Sequence, residues 1–260
     1  MVKTLIATAV AAAFLLPVAS FAEDAAAPAS PFTGNFTIAS EYLYRGIAQT
    51  RGKPAIQGGF DYAHPSGLYV GAWGSNISWL NDAGANGASL ELDVYGGYKG
   101  SISGDLGYDV GVLTYNYPGS YPAGFTKPDT TEVYGALSWK WLSAKYSYAT
   151  TNLFGTLTPS GGKTSGSAYL DLTGSYDLGD GWGISAHAGH QSVKGFSAAS
   201  YTDWKIGVTK DVGIGTVALA LLGSDAKDSC ANGEWYCFVA STGGYAAGKN
   251  RALLTFGKTF

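Results

Sequence analysis

Arg251-Ala-Leu-Leu-Thr-Phe-Gly-Lys-Thr-Phe260 alternates along its length and closes the chain on phenylalanine, with Leu254, Phe256 and Phe260 on one face. Residues i, i+2 and i+4 of a strand share a face. A last strand of this kind is the form that terminates a bacterial outer-membrane β-barrel, although Lys258 stands where such strands usually carry a further aromatic. The opposite end agrees. Met1-Val-Lys3 is a basic start, residues 4–16 are apolar, and Ser20-Phe21-Ala22 supplies small residues ahead of Glu23, which predicts a cleaved secretory signal over 1–22. That apolar stretch is shorter than the ~20 residues that cross a bilayer as a helix. Residues 23–31 are small and proline-rich and are expected to form a flexible periplasmic lead-in, with the folded body at 32–260.

Composition narrows the class. The 260 residues include 38 Gly, 18 Tyr and 7 Trp with only 13% charged residues, a balance that suits a β-barrel and neither a helical enzyme nor a disordered chain. A formal net charge of -3 offers no basic stripe, so nucleic acid is not an expected partner. Short alternating segments separated by turns predict about twelve antiparallel strands, near 33–45, 53–62, 67–79, 89–99, 104–116, 130–139, 142–152, 166–177, 181–192, 201–210, 214–225 and 250–260. Connections after even-numbered strands are short and those after odd-numbered strands mostly long, notably 80–88, 117–129, 153–165 and 226–249. This is the asymmetry of an outer-membrane barrel with short periplasmic turns and external loops.

Parity separates a lipid face from a lumen face. Leu90, Leu92, Val94 and Tyr98 oppose Glu91, Asp93 and Lys99; Leu106, Tyr108, Val110 and Val112 oppose Asp105 and Asp109; Ala168, Leu170, Leu172 and Tyr176 oppose Asp171 and Asp177. Strands three and eleven are apolar on both faces and parity leaves them unassigned. The lumen is expected to receive Glu41, Asp61, Glu91, Asp93, Asp105, Asp109, Glu132, Asp171, Asp177 and Asp203 against Arg45, Lys99, Lys140, Lys145, Lys205 and Arg251. This excess of acids suggests a small passive channel that favours cations. The alternative is a non-conducting barrel, its lumen filled by paired charges and its external loops serving as a binding surface. Glu41 and Arg45, four apart on the first predicted strand, lie about 13 Å from one another and are expected to find partners on other strands.

Three stretches carry a resemblance: Ser40-Glu-Tyr-Leu-Tyr-Arg-Gly46 with Lys53-Pro-Ala55, then Gly67-Leu-Tyr-Val-Gly-Ala-Trp73, then Tyr201-Thr-Asp-Trp-Lys-Ile-Gly-Val-Thr209. The chain resembles the Gcw_chp or TorF-like family of uncharacterised proteobacterial outer-membrane proteins. The resemblance implies fold and location, and the family supplies no established activity.

Other candidates are sparse. His190-Gln-Ser192 resembles an element of outer-membrane phospholipase, with His190 and Ser192 on the lipid face and Thr202 nearby as a weak orienting group. His187 and His190 face opposite sides of a strand and cannot share an ion, so no metal or cofactor is expected. Gly161-Gly-Lys-Thr164 lacks the earlier glycine of a phosphate-binding loop and reads as a loop tip. Cys230 and Cys237 are expected to bridge within the last external loop. The aromatic excess is assigned to the membrane interfaces. Expected partners are the lipid bilayer and lipopolysaccharide, the barrel-insertion machinery through Phe260, and small solutes or ions.

Overall fold

Leu90, Leu92 and Val94 are exposed on one face of their strand, while Glu91, Asp93 and Tyr95 are buried on the other. A pleated strand sends successive side chains to opposite faces, so hydrocarbon lies outside and charge inside. The structure, a computed structural model, describes residues 30–260 other than Asn86, Ser241 and Thr242. The expected signal at 1–22 and the lead-in as far as residue 29 lie outside the described residues.

Twelve strands form the wall: β1 (Phe32–Ala39), β2 (Ala55–Ala63), β3 (Leu68–Asn76), β4 (Leu90–Ser103), β5 (Leu106–Asn116), β6 (Thr130–Trp139), β7 (Leu142–Ala149), β8 (Ala168–Gly179), β9 (Trp182–Ser192), β10 (Tyr201–Asp211), β11 (Thr216–Ser224) and β12 (Arg251–Thr259). Each pairs antiparallel with its neighbours, and β1 closes on β12 from Asn35 opposite Thr259 to Ala39 opposite Thr255. Closure leaves the sheet without an open edge, as a membrane without hydrogen-bonding solvent demands. No helix among the described residues is long and apolar enough to cross a membrane. Crossing falls to the strands, which carry an outer belt including Phe60 at 77%, Ile206 at 57% and Leu254 at 54% exposure. In water so large an apolar surface would aggregate; against lipid it is the stable arrangement.

The connections segregate by length. Residues 64–67, 104–105, 140–141, 180–181 and 212–215 make one end, and residues 40–54, 77–89, 117–129, 150–167, 193–200 and 225–250 make the other. Trp139, Trp141, Tyr176 and Trp182 are exposed beside the short turns, as an interfacial girdle requires. The two strands that parity leaves open are resolved by burial. Leu68, Val70, Leu219 and Leu221 face out, while Tyr69 and Leu222 face in.

The first strand is shorter than the sequence pattern suggests. It ends at Ala39, opposite Ala55; the connection 40–54 leaves the wall, and its residues 41–50 fold into the lumen. Leu43–Tyr44 pairs with Ile47–Ala48 in a minimal hairpin whose turn is Arg45-Gly46. Both turn residues have positive φ, 46° and 76°, the backbone of a two-residue primed turn. Gly46 is also required by space, since a Cβ there would stand 2.7 Å from the Asp203 Cβ. Residues 41–50 are buried without exception. The lumen at the long-loop end is thus the core of the protein.

The aromatic excess divides differently from the interfacial expectation. Nine of the 18 tyrosines are buried, so half of them build the lumen rather than the girdle. Tyr69 shows how they fit: its hydroxyl lies over Gly97, where an added Cβ would meet it at 2.6 Å and would also collide with the Val110 carbonyl. Glycine on one strand makes room for tyrosine from the next.

Candidate functional site

Arg45, at the tip of the inner hairpin, crosses the lumen to the far wall. Its Nη1 and Nη2 donate to Glu132 Oε1 and Oε2 at 3.0 and 2.8 Å, and Nη1 donates to Gln191 Oε1 at 2.8 Å. The guanidinium carbon lies 4.2 Å from the Tyr169 ring centroid and 4.9 Å from that of Tyr44. Glu132 is on β6, Tyr169 on β8 and Gln191 on β9, whereas the hairpin departs from β1 and returns to β2. A bidentate carboxylate, an amide oxygen and aromatic faces are the groups a planar guanidinium binds best.

The rest of the hairpin is held on the remaining arc. Tyr42 donates to Glu91 Oε1 at 2.6 Å, and Tyr117 donates to Oε2 at 2.9 Å. Burial first, and the Glu91 carboxylate second, push both phenols well above their ordinary range, so they remain donors. The Tyr44 and Tyr115 hydroxyls bond each other at 2.7 Å. Glu41 accepts from Gly52 N at 2.6 Å and Tyr245 Oη at 2.7 Å, and it stands 3.6 Å from Arg251 Nε.

Loops close over this layer. Ala48 N donates to Ala247 O at 2.9 Å, and Arg51 Nη2 to Gly243 O at 2.6 Å. Both acceptors belong to loop 225–250, in which Cys237–Ala240 pairs with Gly243–Ala246 and a disulfide joins Cys230 to Cys237 at a Cα separation of 5.1 Å. From loop 150–167, Phe154 enters in a left-handed conformation and meets Tyr44 edge-on at 5.6 Å and Tyr115 at 5.3 Å.

Below the hairpin, inward groups become partly exposed, among them Asp61, Lys99, Lys145, Asp171 and Lys205. Most carboxylates there are occupied by the wall. Tyr95 donates to Asp61 at 2.7 Å and Tyr69 to Asp109 at 2.6 Å. His187 sits between Asp203, 2.8 Å from Nε2, and Asp171, 3.2 Å from Nδ1, and Tyr169 donates to Asp203 at 2.9 Å. Lys145 lies over the Tyr134 ring at 3.9 Å and Lys99 over that of Tyr69 at 5.4 Å. Asp93 differs: it is buried and its Oδ1 has no hydrogen-bond partner.

Several expected positions are corrected. Asp105 lies in the 104–105 turn, exposed and outside the lumen, because β4 and β5 reach the end of the barrel there. Asp177 is exposed near the same end, where it accepts from Gly179 N at 2.8 Å, and Lys140 occupies the β6–β7 turn. Glu41 and Arg45 are inside the barrel but on the inner hairpin rather than on a wall strand. From sequence, His187 is weighed only as half of a metal pair and Gln191 and Tyr169 are not singled out, although the outward parity of Trp182 and Ile184 places His187 and Gln191 on the inner face. His190 is exposed on the outer face, its Nδ1 3.0 Å from Thr202 Oγ1. Among the described residues no carboxylate contacts that imidazole, and no group of His, Cys, Asp and Glu is arranged to hold a metal.

A closed antiparallel barrel with an apolar outer belt, a polar lumen and loops on one end defines an outer-membrane β-barrel. The chain belongs to Gcw_chp, a family described as bacterial protein of unknown function, whose model matches residues 23–260. No curated protein matches it in sequence. Among solved structures it is similar in fold to the NanC porin, with a TM-score of 0.54 at 10% identity over 87% of this chain and 98% of that one. The KdgM porin gives 0.53 at 6% identity over 88% and 98%, and KdgM in complex with disordered oligogalacturonate gives 0.52.

Proposed function

We propose that the protein is an outer-membrane channel for small solutes, shut at its external mouth by the inner hairpin of residues 40–54. The observation that carries this reading is the hairpin itself: a separable segment, entered and left through neighbouring strands, whose tip is fastened to the opposite wall by side chains alone. A lumen filled only by its own wall residues would have no such part to move. The partly exposed inner half beneath it provides the remainder of a path, and the fold shared with the KdgM and NanC porins is compatible with conduction. In this reading the long loops are external, the short turns periplasmic, and the chain reaches the membrane through the periplasm after loss of residues 1–22. Phe260, 71% exposed at the barrel end, is presented to the insertion machinery, and the outer belt meets lipid and lipopolysaccharide.

Osmotic swelling of liposomes tests the proposal. Because Ala39 pairs directly with Ala55, residues 40–54 are replaceable by Asn-Gly, the preferred two-residue hairpin turn. Liposomes holding the shortened barrel swell in small sugars and amino acids, and those holding the intact barrel swell slowly. A shortened barrel that folds and admits nothing rejects the channel.

A further inference from the structure

The groups that receive Arg45 belong to the wall and are oriented without it. The Gln191 amide nitrogen donates to Ala168 O at 3.0 Å and Ser192 O at 3.3 Å, which turns Oε1 toward the lumen. Tyr169 is fixed through its hydroxyl by Asp203 at 2.9 Å and His187 at 3.1 Å, leaving its ring face to the guanidinium. Glu132 takes a further hydrogen bond from Tyr115 at 3.3 Å. All three wall residues are at most 4% exposed.

We infer that the barrel wall carries a guanidinium-binding site formed by Glu132, Gln191 and Tyr169, that Arg45 is its tethered occupant, and that small guanidinium-bearing solutes compete with Arg45 for it. The route to the site rests on the channel reading; the site does not. An ion pair alone needs only a carboxylate. A planar fork of acceptors, a third acceptor fixed beside it and an aromatic face match the five donors and the π-surface of a guanidinium, which an ammonium does not satisfy. A ligand on a short tether acts at an effective concentration on the order of millimolar, so a free guanidinium displaces the hairpin only when its concentration and affinity exceed that value.

The test removes the tethered group and keeps the turn. Arg45→Asn gives Asn-Gly at the two positive-φ positions, a sequence that favours this turn. The folded variant, verified by heat-modifiable migration, is titrated by calorimetry with guanidinium chloride, with its neutral isostere urea, and with sodium chloride. Guanidinium binds Arg45→Asn saturably, about tenfold or more tighter than it binds Arg45→Asn/Glu132→Gln, while the wild type shows no saturable uptake and urea none with any variant. Equal uptake by the single and double variants, or urea matching guanidinium, overturns the inference. If Arg45→Asn does not fold, the barrel with Asn-Gly in place of residues 40–54 presents the same wall groups and is titrated instead. Bilayer recordings on the titrated protein separate the two readings. Saturable binding by a silent barrel keeps the site and rejects the channel, whereas an open barrel with no saturable binding keeps the channel and rejects the site.

Discussion

Arg45 and Glu132 are both nearly inaccessible, with side-chain exposures of 7% and 3%. At that depth the worth of the pair lies less in attraction than in the penalty for breaking it: an uncompensated buried charge costs about 3–5 kcal/mol. Glu132→Gln therefore unseats the hairpin rather than leaving Arg45 alone in the lumen. Limited trypsin digestion measures this as faster cleavage after Arg51, with the wall strands intact; Lys53 is protected by Pro54. Arg45→Asn has the same effect although it improves the turn, because local propensity is worth less than the anchor. In the double variant the second substitution adds little, since the two residues act as a unit. Gly46→Ala tests the opposite end of the same contact. A side chain at φ 76° and 2.7 Å from Asp203 costs roughly 1–3 kcal/mol of seating, and cleavage after Arg51 again accelerates.

Residues 40–54 and loop 225–250 are separate elements that share one surface. The disulfide closes a short loop, separation 7, so its removal is expected to cost about 2–3 kcal/mol of local order without touching the wall ladder. In Cys230→Ser/Cys237→Ser the Ala48 amide, which donates to Ala247 O, exchanges its hydrogen faster, while amides of β4 and β5 keep their protection. Wall elements were readable because lipid outside and charge inside enforce strict alternation, as in Leu90 to Tyr95 and Tyr108 to Val112. The inner hairpin was not readable for the same reason. Glu41, Leu43 and Arg45 alternate with Tyr42 and Tyr44, and a period of two does not distinguish a strand that stays in the wall from one that turns into the lumen. Arg-Gly is a weak turn signal beside Asn-Gly, and the second strand, expected from residue 53, starts at Ala55, just past Pro54, which cannot donate to a ladder. Parity misplaces Asp105 because alternation continues across a two-residue turn, where it has lost its meaning.

For the whole molecule, the twelve-strand closure, the segregation of loops and the disulfide partners follow from sequence pattern, whereas the state of the lumen depends on long-range contacts no pattern records. The acid excess expected to favour cations is one such case: most lumen carboxylates are taken by tyrosine, arginine or histidine, and those of Asp61, Asp109, Asp171 and Asp203 are held by the wall itself. The central claim is that the hairpin seals the barrel between the loop end and the partly exposed inner half. Lys99 lies in that inner half, and the two native cysteines are bonded to each other, so Lys99→Cys supplies a single reactive thiol below the seal. Its labelling by a membrane-impermeant maleimide added from the long-loop side is the most direct measurement, made once in the intact barrel and once with Asn-Gly replacing residues 40–54. Slow labelling of the intact barrel and rapid labelling of the shortened one are predicted. Equally rapid labelling of both contradicts the account, because the lumen would then be open past the hairpin.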